Sequence, residues 1–121
     1  KEAIRIDPDD IITYSNLGAA YFDLGFYEDA INILKQAVNV DPDNAISHYN
    51  LGAAFYNLGF NEDAIEEYKQ AIRIEPDKSS AHSGLGFAYH KTGDRNSALN
   101  EYEILKRLDI NLANELFDLI Y

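Results

Sequence analysis

Along this chain apolar residues recur three and four positions apart, in blocks separated by short polar breaks. Leu51, Ala54, Phe55 and Leu58 form one block, and Ala64, Ile65, Tyr68, Ala71 and Ile72 form the next. That spacing puts each block on one face of a helix and predicts paired amphipathic helices of about 13 residues, each roughly 20 Å long. Gly25, Gly59 and Gly93 fall between the two blocks of a pair. A short helix-to-helix turn needs a residue there that is free to take a positive φ. Pro8, Pro42 and Pro76 follow the second block, where proline stops the hydrogen-bond ladder. The residues after them, in Pro8-Asp9-Asp10 and Pro42-Asp43-Asn44, are expected to cap the next helix.

The pattern repeats with a period of 34. It is kept by the prolines, by Leu17, Leu51 and Leu85, by Gly18, Gly52 and Gly86, and by Ala30, Ala64 and Ala98. Residues 11–44 and 45–78 are identical at 18 of 34 positions. The small residues carry the expected packing. Gly18, Gly52 and Gly86, with Ala20, Ala54 and Ala88, let the partner helix come close, while Tyr21, Phe55 and Tyr89 fill the space beside them.

The 34-residue period with its Leu-Gly, Tyr/Phe, Ala, Ala, Pro signature resembles the tetratricopeptide repeat family over nearly the whole chain. Repeat one is 11–44, repeat two 45–78 and repeat three 79–112. Residues 1–10 read as the end of a preceding repeat, with Ala3 and Pro8 in register, so that the chain is expected to be a piece of a longer array. Leu105 and Ile110 replace the alanine and proline of the signature. Residues 113–121 then read as a capping helix, with Leu116, Leu119 and Ile120 toward the stack and Asn114, Glu115 and Asp118 toward water. The resemblance implies an all-α fold, a right-handed superhelical stack of helix-turn-helix repeats closed by that helix.

It also implies a concave groove lined by the first helix of each repeat, where peptides or helices of partner proteins bind. Carried over position by position, the groove takes Ile12, Ser15, Asn16, Ala19, Phe22 and Asp23 from repeat one. Ile46, Tyr49, Asn50, Ala53, Tyr56 and Asn57 come from repeat two, and Ser80, Ser83, Gly84, Phe87, His90 and Lys91 from repeat three. Exposed aromatic rings there are good anchors. Phe22, Tyr56 and Phe87 either face the groove or pack between repeats. Asn16 and Asn50 either offer amides to a peptide backbone or bond adjacent helices, and their row stops at Gly84. Family members that clamp a C-terminal carboxylate use lysine, arginine and asparagine where this chain has Ser15, Ala19, Asn50, Ser80 and Gly84. Only the asparagine survives, so a carboxylate-clamp chaperone binder is not expected.

Charge changes the picture of the partner. The formal net charge is −11, with 21 acidic against 10 basic residues. Between Asp7 and Tyr68 twelve acids stand against Lys35 alone. Nucleic acid and anionic membrane are therefore excluded as expected partners, and an apolar segment with some basic residues fits better. No apolar run reaches the roughly 20 residues that span a bilayer. There is no cysteine, which excludes disulfides, thiolate metal sites and a cysteine nucleophile but leaves the compartment open; a cytoplasmic setting is the expectation without being fixed by the residues.

Little else offers chemistry. His48 and His82 are period equivalents, expected to pack, and His90 sits beside Lys91 in the groove. Glu28-Asp29 and Glu62-Asp63 suit helix starts, and Glu66-Glu67 an outer face. No phosphate loop, zinc motif or nucleophile elbow is present, so neither cofactor, metal nor catalysis is expected. The expected function is a non-catalytic protein-interaction module. Self-association through the N-terminal end, or service as the substrate-recruiting arm of a larger enzyme, are the alternatives.

Overall fold

The computed structural model describes residues 8–121, which form seven helices and no strand. Three hairpins follow one another: α1 (Pro8–Asp23) with α2 (Tyr27–Val40), α3 (Ala45–Asn57) with α4 (Asn61–Ile74), and α5 (Ser79–Lys91) with α6 (Arg95–Leu108). A single helix, α7 (Ile110–Ile120), closes the stack.

Each hairpin turn is built on its glycine. Gly25, Gly59 and Gly93 take φ of 82°, 85° and 83°. The chain then folds back so that the N–H groups of Phe26, Phe60 and Asp94 donate to the carbonyls of Tyr21, Phe55 and Tyr89, five residues earlier. This satisfies carbonyls that the end of the first helix would otherwise leave open. In the first two hairpins the same residue pairs also bring their rings together, Tyr21 with Phe26 at 6.4 Å and Phe55 with Phe60 at 6.3 Å.

Between hairpins, Pro42 and Pro76 lie two residues past the ends of α2 and α4. Asn44 caps α3, its side chain accepting from the Ser47 N–H. The start departs from the expected caps: Pro8, Asp9 and Asp10 are helical and lie within α1 instead of ahead of it. The rest of the expected preceding repeat, with Ala3, lies outside the described residues.

The end departs too. Asp109 alone joins α6 to α7: its N–H donates to Leu105 O at 2.7 Å, and its carboxylate accepts from the Asn111 and Leu112 N–H groups. One residue serves as both caps, so α7 starts three residues before the expected 113. Its buried face is Ala113 and Leu116, flanked by Leu112 and Ile120; Leu119, expected in the stack, is 44% exposed.

Second helices bury one narrow stripe each: Ala30, Ile31, Leu34 and Ala37 in α2, and Ala64, Ile65, Tyr68 and Ala71 in α4. First helices are pressed from two sides and touch one another, α1 against α3, α3 against α5 and α5 against α7. The second helices make no such mutual contact among the described residues. A stack whose inner helices touch while its outer helices splay is curved, with the first helices on the concave side.

The glycines of the first helices set how closely the layers meet. A Cβ on Gly18 would lie 2.5 Å from Leu34 Cγ, on Gly52 3.0 Å from Tyr68, and on Gly86 2.5 Å from Leu116. The third repeat is thus filled from α7 where repeats one and two are filled from their own second helix. Gly52→Leu is expected to lower stability by about 1–3 kcal/mol or more through overpacking. Gly52→Ala should lose less. Urea-unfolding midpoints of the two variants check the order; equal midpoints with wild type would remove the close-packing account.

Candidate functional site

Because the first helices line the concave wall, their inward side chains meet across successive repeats. They enclose a recess of about 260 Å³. Phe22 comes from α1; Tyr49, Ala53 and Asn57 from α3; Ser80, Ser83, Gly84 and Phe87 from α5; Leu112 from α7; and Tyr68 from the outer helix α4. None of these side chains is charged at neutral pH. Burial pushes the phenols of Tyr49 and Tyr56 above the ordinary tyrosine value. Burial holds that of Tyr68 higher still, with the nearby Tyr49 and Tyr56 phenols adding to it. The walls are aromatic and aliphatic, the floor small and polar. Lys78 stands over the Tyr49 ring at 5.5 Å, and Tyr49 and Tyr68 meet with ring centroids 5.7 Å apart.

The structure separates the expected groove residues into groups. Phe22, Tyr49, Ala53, Asn57 and Phe87 meet in the recess, with Ser80, Ser83 and Gly84. Phe22 and Phe87 do two things at once: Phe22 also packs against the main core, which runs from α2 to α5, and Phe87 against the Leu105, Ala113 and Leu116 cluster. Tyr56 is a flank of the main core and stays outside the recess. Ser15 is 8% exposed and its hydroxyl meets that of Ser47 at 2.8 Å, which makes it a tie between α1 and α3 instead of a groove contact. Ile12 and Ile46 are more than half exposed and, with Asn16, Ala19, Asn50 and His90, lie apart from the recess. Neither Asn16 nor Asn50 bonds an adjacent helix among the described residues.

Tyr68 and Leu112 are the lining residues that sequence reasoning missed. Tyr68 belongs to the outer helix, but its ring passes inward between two glycines. A Cβ on Gly52 would meet the ring at Cδ1 and Cε1, and one on Gly84 would meet its tip, Cζ, at 2.5 Å. The signal was Gly84 itself, standing where the two earlier repeats carry asparagine.

The histidines of repeats two and three are buried but do more than pack. His48 Nδ1 lies 2.7 Å from Glu67 Oε1 and its Nε2 2.7 Å from the Pro42 carbonyl. His82 Nδ1 donates to Glu101 Oε1 at 2.6 Å and its Nε2 to the Pro76 carbonyl at 2.7 Å. Glu67, expected on an outer face, is thereby turned inward. Both ring nitrogens of His82 face acceptors, which favours its protonated form. The Glu101 hydrogen bond raises its pKa above the ordinary histidine value, outweighing the burial that opposes it, and the Pro76 carbonyl, Glu101 charge and Asp77 add to the rise. These pairs are structural ties, and among the described residues no cluster of His, Asp and Glu could hold a metal.

The chain is therefore a curved stack of helical hairpins with one uncharged recess on its inner wall. It belongs to the TPR repeat family, which matches residues 1–25, 20–59 and 54–93. It is a protein-interaction domain of that family, whose members are typically non-catalytic. No curated protein matches its sequence. Among solved structures, it is similar to the first TPR of Spaghetti (RPAP3) bound to the HSP90 peptide SRMEEVD, at 23% identity and TM-score 0.88 over 97% of this chain and 95% of that one. At that identity the likeness is one of fold. The second TPR of Spaghetti (RPAP3), bound to the same peptide, is 27% identical with a TM-score of 0.81, covering 83% of this chain and 93% of that one. MamA is 26% identical with a TM-score of 0.81, over 94% of this chain and 78% of that one. No helix among the described residues is long and apolar enough to cross a membrane.

The His82 pair has a pH signature. Its folded pKa lies above the unfolded value near 6.5, so its contribution to stability is full below about pH 6.5 and is lost as pH rises through the folded pKa. Urea unfolding between about pH 6 and 9 should show stability falling with pH, and falling less in His82→Phe. Parallel slopes in the two proteins would exclude the pair as the source.

Proposed function

We propose that the chain binds a peptide segment of a partner protein along the concave wall, with the recess as its anchoring point. The observation that carries this is the recess itself, where side chains of three repeats and α7 form one concave, uncharged, largely apolar surface. The net charge of −11 favours a segment with some basic residues around an apolar centre.

The two Spaghetti domains are solved with SRMEEVD, an acidic peptide whose last residue, an aspartate, brings a carboxylate. Here the positions that would hold that carboxylate are Ser15, tied to Ser47, together with Ala19, Asn50, Ser80 and Gly84, and none is a cation. Binding of a different class of peptide follows. Calorimetric titration with SRMEEVD is expected to show no binding at millimolar concentration; a micromolar dissociation constant would refute this.

A second reading, end-to-end self-association, has one observation in its favour. Leu17 is 39% and Leu24 66% exposed at the α1 end, whereas Leu51 and Leu85, equivalents of Leu17, are 2% and 4% exposed. A concentration-dependent mass in sedimentation, abolished by Leu17→Lys with Leu24→Lys, would establish it.

The groove is tested by selecting randomised displayed peptides on the full chain. Ala53→Arg places a long cation in the recess without disturbing the core and is expected to lower affinity for the selected peptides at least tenfold, while Glu66→Ala on the outer side leaves it unchanged. Equal binding to both variants and wild type would sink the groove reading.

A further inference from the structure

We propose that the recess is a pocket for one aromatic side chain bearing its own hydrogen-bonding tip, a tryptophan or tyrosine of the bound segment, and that the Tyr68 hydroxyl is the group that recognises this tip. This rests on the groove reading above and names the chemistry it selects.

Tyr68 is 3% exposed, yet it lines the recess. Its ring runs inward from Gly52, which faces Cγ, Cδ1 and Cε1, to Gly84, which faces Cζ. The hydroxyl on Cζ therefore emerges beside Gly84, itself part of the lining. Among the described residues that hydroxyl makes no hydrogen bond. A phenol carried through the stack, buried but for its tip and left without a protein partner, is a donor and acceptor open to whatever enters.

Three features narrow the occupant. At about 260 Å³ the recess is smaller than the ~300–1,000 Å³ of most small-molecule sites and suits a single large side chain. No lining residue is charged, so a lysine, arginine or carboxylate would be desolvated without a counter-charge. Phe22, Tyr49 and Phe87 offer ring faces and edges to an aromatic guest. Phenylalanine or leucine would fill the space but would strip water from the Tyr68 hydroxyl and return nothing, which penalises them against tryptophan and tyrosine.

The experiment takes peptides selected on the wild-type chain and compares each with a partner peptide in which naphthylalanine replaces tryptophan, or phenylalanine replaces tyrosine. These changes delete the N–H or O–H and keep the rings. Affinities are read by fluorescence anisotropy against wild type and Tyr68→Phe, whose helicity and thermal unfolding are compared first. Selected peptides are expected to share a tryptophan or tyrosine at one position. Deleting its tip should weaken binding to wild type about tenfold and leave binding to Tyr68→Phe unchanged. Equal loss against both proteins overturns the proposal, and so does no loss against wild type, whether or not Tyr68→Phe folds. If selected peptides lose binding to Ala53→Arg but share no tryptophan or tyrosine, the groove stands and this inference falls. If no peptide is selected, both fall.

Discussion

Close approach at three glycines governs this molecule. At Gly18, Gly52 and Gly86 there is no Cβ, and a side chain from a neighbouring helix, Leu34, Tyr68 or Leu116, occupies the space where one would be. Leu34 and Tyr68 of the outer layer can thus sink into the inner layer instead of holding it off. That is how the first helices come to touch across repeats while the second helices splay, and the difference between the layers is the curvature. The recess is a local consequence. Where Gly84 adds a second gap to the one at Gly52, the sunken residue passes through the inner layer and shows its tip on the far side. Core packing and candidate site are one contact there, so a change at Gly84 would alter both.

A second device holds the hairpins in register, and it varies within the chain as a unit. The pairs His48 with Glu67 and His82 with Glu101 are each 19 residues apart. In repeat one the same two positions hold Tyr14 and Ile33. The acid and its histidine are exchanged together, as expected if either alone would leave a buried polar group without a partner. Each histidine binds three pieces of chain: its own first helix, the glutamate of the following second helix, and the carbonyl of the preceding proline. That carbonyl lies in a turn where no helix partner is available, so the ring satisfies a backbone group and fixes the junction between repeats at once.

The repeat, the three glycine turns and the pairing of helices were legible because each is written locally, in spacing and in residues with special backbone needs. The two ends were not. At α1 the residues after Pro8 are already helical, and at α7 an aspartate serving as two caps shifts the boundary by three residues. Leu119 was misread for a related reason: once α7 starts at Ile110, the contacts with α5 and α6 are made by Leu112, Ala113 and Leu116, and Leu119 turns outward. On the concave wall, positions carried over from the family could not say which residues would be consumed by packing, as Ser15 is by Ser47. Nor does helical periodicity show that an outer-helix residue reaches the inner wall. That depends on two glycines 32 positions apart facing the same ring.

Charge and recess act at different stages of an encounter. Twelve acids between Asp7 and Tyr68 set up a field that reaches about 8 Å through physiological salt before it is screened. Such a field speeds the approach of a basic segment but holds it weakly, because exposed ion pairs contribute little once formed. The recess has no charged lining; on the binding proposed above it works only at contact, where shape and the Tyr68 hydroxyl would decide how long a segment stays. Added salt should therefore act mainly on association, and deletion of the Tyr68 oxygen mainly on dissociation. A partner with the right charge and no suitable ring would arrive quickly and leave quickly. On that proposal, selectivity would come from a surface whose lining carries no charge.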